Sequence, residues 1–243
     1  MPLTTWTQHA LESEARPYAR ALWRVVEAQH TASTMRLTDS LEEQATLEAL
    51  LEESKPPLPP NVRGLHYLLA TPFRYRPPGG SRFRAAYAAG VWYGAEALRT
   101  GLAEKSYWRL RFLLDSPGTP ELKPVPHTAF RAAVRSRRAL DLTVAPLARE
   151  RARWSDPDSY AATQELAELA RAAQLEIIRY RSVRDPQHEP CAAVLAPQVF
   201  GRAQPHALET WFIAAARERV RCARQGDAQG SFEFTARQLL SGE

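Results

Sequence analysis

The chain has 243 residues, 44% of them apolar, and a net charge of +5 carried by 29 arginines against 3 lysines, enough to bury a substantial core in one domain with an appendage or in two small ones. Its two cysteines, Cys191 and Cys222, exclude a disulfide framework, and no His or Cys spacing suggests a metal set, so none is expected. The longest apolar run, residues 85–95, is well short of the roughly 20 needed to span a bilayer, and the first twenty residues carry Glu12 and Glu14 with no apolar core; a cytoplasmic protein with no secretory signal is expected.

In chain order, residues 19–30 and 41–53 read as helices. The second is opened by Ser40 with Glu43 three residues later, a capping box. KPPLPP at 55–60 cannot continue a helix, because proline fixes φ and lacks a donor, so a linker is expected there. It coincides with a change of charge: residues 1–60 hold 5 basic and 9 acidic side chains, which leaves +9 on 61–243. The expected organisation is a helical N-terminal region over 1–60, ending in the proline-rich linker, and a second domain over 61–243. Strands are expected at 65–75, 81–84 and 90–94, a helix at 95–114, another at 159–174, and strands at 176–184, 191–196 and 231–236. Those elements mix helices and strands without βαβ alternation, which is an α+β pattern.

The helix at 95–114 carries the first chemical signal. Positions 97, 101, 104 and 108 share one face at helical spacing, so Glu104 lies among Ala97, Gly101 and Trp108. Its neighbours three and four residues away are Thr100, Gly101, Tyr107 and Trp108. The usual helical salt bridge therefore has no partner, and a carboxylate is left on a face of small and aromatic residues. Arg82 and Tyr93 precede Glu104 at intervals of eleven; TPFRY at 71–75 supplies Arg74 and Tyr75, and YRSVRD at 180–185 supplies Ser182.

This ordered set, Arg74–Tyr75, Arg82 in Gly-Ser-Arg-Phe, Tyr93 in an aromatic strand, Glu104 in LAEKSYWR and Ser182 in Ser-Val-Arg, resembles the RES-domain family of NAD-consuming toxins from bacterial toxin–antitoxin operons. The resemblance runs from about His66 to Val199, and residues 25–44 also resemble the helical lead-in of one subgroup. The connection from Tyr75 to Ser81 is short and proline-rich where many relatives carry a longer loop. The resemblance implies an ADP-ribosyltransferase-like RES fold, NAD as substrate with no prosthetic group, a cognate Xre-type helix-turn-helix antitoxin that covers the pocket, and toxin homodimers within that complex. It also makes Arg74 the family's namesake arginine and places Ser182 in the pocket.

Cleavage of the nicotinamide–ribose bond expels a neutral leaving group from a cationic substrate, so no general acid is needed. The transition state needs negative charge beside the developing oxocarbenium ion, and one carboxylate suffices. Glu104 is the candidate for that charge. Arg74 and Arg82 are the candidates for the pyrophosphate, which a guanidinium matches bidentately. Tyr75 and Tyr93 offer flat faces to a nucleotide ring. Ser182 lacks local His and Asp support for activation as a nucleophile and reads as a positioning hydrogen-bonding residue; Arg181 and Arg184 beside it are left outside the site. Two rival readings stay open. The same pocket could transfer ADP-ribose to a protein side chain, or the seven arginines of 131–153 with Trp154 could grip nucleic acid, although no nucleic-acid-binding signature is present and no direct nucleic-acid binding is expected.

Overall fold

The computed structural model describes residues 4–28, 37–227 and 229–241. Residues 29–36, which belong to the expected helix at 19–30 and to the lead-in at 25–44, lie outside the described residues.

The expected helix at 19–30 is instead β1 (Arg16–Glu27). Ala, Leu and Glu favour a helix, but Trp23, Val25 and Val26 suit a strand, and the decision is tertiary: β1 pairs antiparallel with β3 (Glu121–Asp141) at eleven registered positions, which outweighs a local preference of a few tenths of a kcal/mol per residue. Among the described residues, the N-terminal region has its α-helices at α1 (Gln8–Ser13) and α2 (Leu41–Glu53), and its strand belongs to the same sheet as the strands downstream. In α2, Ser40 accepts from Glu43 N at 3.1 Å, and the Glu43 carboxylate accepts from Asp39 N at 2.9 Å. The helix buries no residue.

The segment expected as a strand at 65–75 forms α3 (Tyr67–Arg74), N-capped by His66. Pro72 inside it cannot donate to the Leu68 carbonyl one turn back, and the indole Nε1 of Trp92 supplies that bond at 3.3 Å. Gly90 meets α3 so closely that a Cβ there would lie 1.8 Å from the Pro72 carbonyl oxygen; only glycine permits this approach. Residues 81–84 form an isolated Ser81–Arg84 bridge rather than a strand.

β2 (Trp92–Ala95) follows, then α4 (Leu98–Leu114), α5 (Arg151–Trp154), α6 (Ala161–Ala172), β4 (Ile177–Arg181), β5 (Pro190–Val194), β6 (His206–Ala216), β7 (Arg219–Arg224), β8 (Ser231–Thr235) and α7 (Ala236–Ser241). The sheet order is β1-β2-β5-β4-β3-β6-β7-β8, and β1 also pairs with β3. Five strands, β1, β2, β5, β4 and β3, therefore close on one another, while β6, β7 and β8 extend the sheet as antiparallel hairpins. All pairs are antiparallel except β3 with β4. The α+β class holds.

One core of the closed strands gathers Leu22, Trp92, Phe130, Val134, Ile177 and Val194. A second lies under α6 and around Trp154 and Tyr180, and a third packs α4 and α7 against β6–β8 through Leu102, Leu110, Trp211, Ile213 and Phe234. In β3, Phe130, Ala132, Val134 and Ser136 are buried while Arg135 and Arg137 are exposed, the period-2 pattern of a half-buried strand. That alternation accounts for much of the arginine run at 131–138 without a nucleic-acid ligand.

Removing β1 would strip Tyr18, Leu22 and Val25 from their cores, at about 1.5–3 kcal/mol for each large side chain, and would unpair the β3 edge, against a total stability of roughly 5–15 kcal/mol. A chain beginning at Pro60 is expected to lose its cooperative thermal unfolding by circular dichroism. A sharp melt from that shortened chain would show that β1 is dispensable.

Candidate active site

A cavity of about 320 Å³ opens between α4, β1, β2 and the turn after β4. α4 contributes Gly101, Glu104, Lys105, Tyr107 and Trp108, so the face read from helical spacing is the face that lines the cavity. β1 adds Trp23, Arg24 and Val25. Tyr93 and Gly94 come from β2, with Ser81 and Arg82 just before it, and Tyr160, Tyr180 and Arg184 complete the walls.

The Glu104 carboxylate accepts the hydroxyl proton of Ser182 at 2.6 Å. Ser182, 1% exposed, accepts in turn from the backbone N–H groups of Arg184 (3.2 Å) and Asp185 (2.9 Å). A serine hydroxyl has one donor and two acceptor positions; with both acceptor positions filled by the turn, its proton is directed at Glu104. The turn is itself anchored, because the buried Asp185 carboxylate accepts from Thr100 Oγ1 at 2.7 Å and from the Arg99 guanidinium, which ties it to the first turn of α4. Burial raises the Glu104 pKa above its ordinary value; the Ser182 bond and the charges of Arg82 and Arg184 oppose that rise, and Asp185 adds to it.

Arg82 donates through Nη1 to the carbonyls of Trp154 (3.1 Å) and Asp156 (2.9 Å), and its guanidinium lies 4.7 Å from the Tyr160 ring centre. Arg184, expected outside the site, is 3% exposed and lines it. It sits 3.7 Å over the Tyr107 ring and donates to the carbonyls of Pro157 and Leu240. Arg82, Tyr160, Arg184 and Tyr107 thus form an alternating cation–aromatic wall, in which each contact contributes on the order of 0.5–2 kcal/mol depending on desolvation. The Tyr93 hydroxyl shares a hydrogen bond with Ser81 Oγ at 2.8 Å and accepts from Phe83 N at 3.0 Å, so it fixes the 81–83 segment; burial raises its pKa.

The structure therefore brings Arg82, Tyr93, Glu104 and Ser182 together. Arg74 and Tyr75 are not among the residues that line this cavity. Arg74, at the end of α3, pairs with Glu52 of α2 at 2.6 Å and donates to the Pro56 carbonyl at 2.5 Å. The cavity's arginine on that side is Arg24 of β1. Its Nη1 donates to the Tyr93 carbonyl at 2.9 Å, its guanidinium lies 5.3 Å from the Trp92 ring centre, and its buried Nε has no partner among the described residues. Burial lowers its pKa to about 10, which leaves it charged at neutral pH. One signal for Arg24 was present in the sequence: an arginine inside the apolar run ALWRVV, a costly placement unless the charge is used. Among the described residues no group of three or more His, Cys, Asp or Glu is placed to hold a metal, and both cysteines are free and buried.

In comparisons with known proteins, a chain of the solved M. tuberculosis MbcT–MbcA toxin–antitoxin complex superposes with a TM-score of 0.50 over 99% of this chain and all of that one at 12% identity, a likeness of fold. No curated protein matches the sequence. The family model for the RES domain matches residues 58–214, which contain Arg82, Tyr93, Glu104 and Ser182 and leave Arg24 and β1 before the matched span. The match spans well over half of the chain, and on that ground the chain belongs to the RES-domain family.

Proposed function

We propose that the chain is the toxin of a toxin–antitoxin pair, which binds NAD and breaks its nicotinamide–ribose bond with transfer of ADP-ribose to water or phosphate. The observation that carries the reading is the half-buried Glu104 carboxylate, oriented by Ser182 and facing a cavity with aromatic walls and several arginines. A carboxylate so placed meets positive charge best when that charge reaches the ribose, which happens in the transition state and not in ground-state NAD, where the nicotinamide ring carries it. Ser182 orients the carboxylate and favours its ionised form, Arg24 and Arg82 face the pyrophosphate, and the aromatic walls pack the rings. Membership of the RES family supports this activity, and the origin of the structurally similar chain in a toxin–antitoxin complex supports a protein partner; the Xre-type antitoxin implied by the resemblance is the partner proposed. No helix among the described residues is long and apolar enough to cross a membrane, and a cytoplasmic place, where NAD is available, fits the proposal. The direct test incubates the purified protein with NAD, with and without phosphate, and identifies products by mass. Nicotinamide release is expected; a protein that neither binds NAD nor releases nicotinamide would overturn the reading.

Glu104→Gln keeps size and the Ser182 contact but deletes the charge. Loss of about 3–4 kcal/mol of transition-state stabilisation slows kcat roughly 10²–10³-fold with little change in KM; a defect confined to KM would make Glu104 a binding group. The same substitution should stabilise the protein near neutral pH. A carboxyl whose folded pKa is raised favours folding in its neutral form, an advantage present at low pH and lost as pH rises through the folded pKa. Melting temperatures are therefore expected to be higher for the glutamine variant at about pH 7 and to converge at about pH 4, where both side chains are neutral.

Ser182→Ala removes the donor that favours the carboxylate and leaves the Arg184 and Asp185 N–H groups without their acceptor, at a cost of about 1–3 kcal/mol in stability. The acid limb of its kcat/KM profile should move to higher pH than in the parent, because the bond that lowers the Glu104 pKa is gone. An unmoved acid limb would mean that another group titrates in the reaction.

For the arginines, Arg24→Ala is expected to weaken NAD binding and Arg74→Ala to leave it within about twofold, both read by calorimetry; a reversed order would return the phosphate contact to Arg74.

A further inference from the structure

A second, smaller cavity of about 170 Å³ lies on the other flank of Arg24. Arg24 lines both cavities, and the second is otherwise formed by Val26 and Glu27 of β1, by Tyr67, Leu68, Thr71 and Pro72 of α3, and by Thr128 of β3. The first cavity alone sits at the lower end of the roughly 300–1,000 Å³ typical of ligand pockets, whereas a dinucleotide is two nucleotides joined by a pyrophosphate. A site for one half, an arginine at the joint and a site for the other half is the arrangement such a substrate requires.

We propose that this second cavity is the adenosine subsite of the dinucleotide, with Tyr67 stacking on the adenine, the Glu27 carboxylate accepting from the diol of the adenosine ribose, and Arg24 meeting the pyrophosphate between the two cavities. The inference rests on the NAD reading above. Four features carry it. Tyr67 is a large aromatic side chain left 53% exposed at the start of α3, with its ring held against His66 at a centroid distance of 4.5 Å; a fixed flat ring at a cavity edge is a stacking surface. Glu27 is 59% exposed and its ion pair with Arg109 is 3.8 Å long, beyond hydrogen-bonding distance, so among the described residues its oxygens carry no hydrogen bond. Arg24 spends Nη1 on the Tyr93 carbonyl and lines both cavities, so the rest of its guanidinium edge can meet a phosphate placed between them. Thr71 and Thr128 add hydroxyl-bearing side chains to the lining of the same cavity.

Glu27 also makes the subsite selective. A carboxylate on the ribose diol is compatible with NAD and repels the 2′-phosphate of NADP, the same discrimination that an acidic residue provides in dinucleotide-binding folds of other architecture.

The test uses ADP, which is the adenosine half with its two phosphates, together with NAD and NADP, on the full chain. By calorimetry ADP should bind the parent; Tyr67→Ala and Glu27→Gln should each weaken ADP about tenfold, and Tyr67→Phe, which keeps the ring, should not. In steady-state kinetics the first two variants should raise KM for NAD by a similar factor with kcat unchanged, unlike Glu104→Gln, and Glu27→Gln should narrow the preference for NAD over NADP. Because both side chains are largely exposed, the variants should fold, and circular dichroism checks this. If NAD binds and is cleaved but ADP does not bind, or if ADP affinity is the same in all variants, the subsite is overturned while the NAD reading stands. If the parent binds neither NAD nor ADP, the underlying reading fails and takes this inference with it.

Discussion

The structure is organised around a carboxylate held half out of water in a cavity wall. Isolated, a buried charge costs far more than a small domain can offset, so it persists only where donors and cations are arranged for it. Among the described residues Glu104 has one direct donor, the Ser182 hydroxyl, and two guanidinium groups whose fields favour its charged form. Each of these is itself constrained. Ser182 is oriented by two backbone N–H groups of its own turn, that turn is pinned by Asp185 to Thr100 and Arg99, and Arg82 and Arg184 are held by carbonyls from the 154–157 segment and from Leu240. The carboxyl therefore ends with a raised pKa in a rigid frame. The domain gives up stability there, and a reaction that develops positive charge on its substrate would recover it.

That frame explains why distant parts of the chain are indispensable to one side chain. α4 supplies Glu104 and Thr100, the β4–β5 turn supplies Ser182 and Asp185, α7 supplies the Leu240 carbonyl, and β1 closes the opposite wall with Trp23, Arg24 and Val25. β1 could not stand there without β3, whose length allows it to pair with β1, β4 and β6 at once. Its two prolines, Pro124 and Pro126, fall where the ladder to β6 shifts register and near the end of the pairing with β1, positions where a missing N–H costs little.

Much of the site was legible because its signals are local. The spacing of α4 places Glu104 on a face with Gly101 and Trp108, and those residues do line the cavity; Arg82, Tyr93 and Ser182 sit in short motifs whose order carries the resemblance. What was not legible depends on pairing across the chain. β1 contains good helix formers and becomes a strand only because β3 is there to receive it, and with it Arg24 enters the cavity. β3 itself looks like a proline-interrupted basic segment, since its inward residues are small or hydroxylic as often as large. α3 was hidden by Pro72, whose missing hydrogen bond is replaced by an indole from a strand twenty residues away. The same gap separates Arg74 from Arg24: a motif locates an arginine in the sequence, whereas only the sheet determines which arginine is carried to the cavity.

Arg24 shows why burial and placement have to be read together. Its guanidinium is buried deeply enough for its pKa to fall to about 10, yet it remains a cation at neutral pH, stacked near Trp92 and tied by one bond to the Tyr93 carbonyl. A surface arginine would satisfy its remaining donors with water at no cost. A guanidinium partly desolvated on folding would, on the reading proposed above, meet an anion with part of the binding penalty already incurred. The carboxylate at Glu104 works on the same principle with the opposite sign. One half-buried anion and one half-buried cation in the wall of the same cavity are the pair on which the proposed reading rests: a ligand that carries negative charge at one point and develops positive charge at another would meet both.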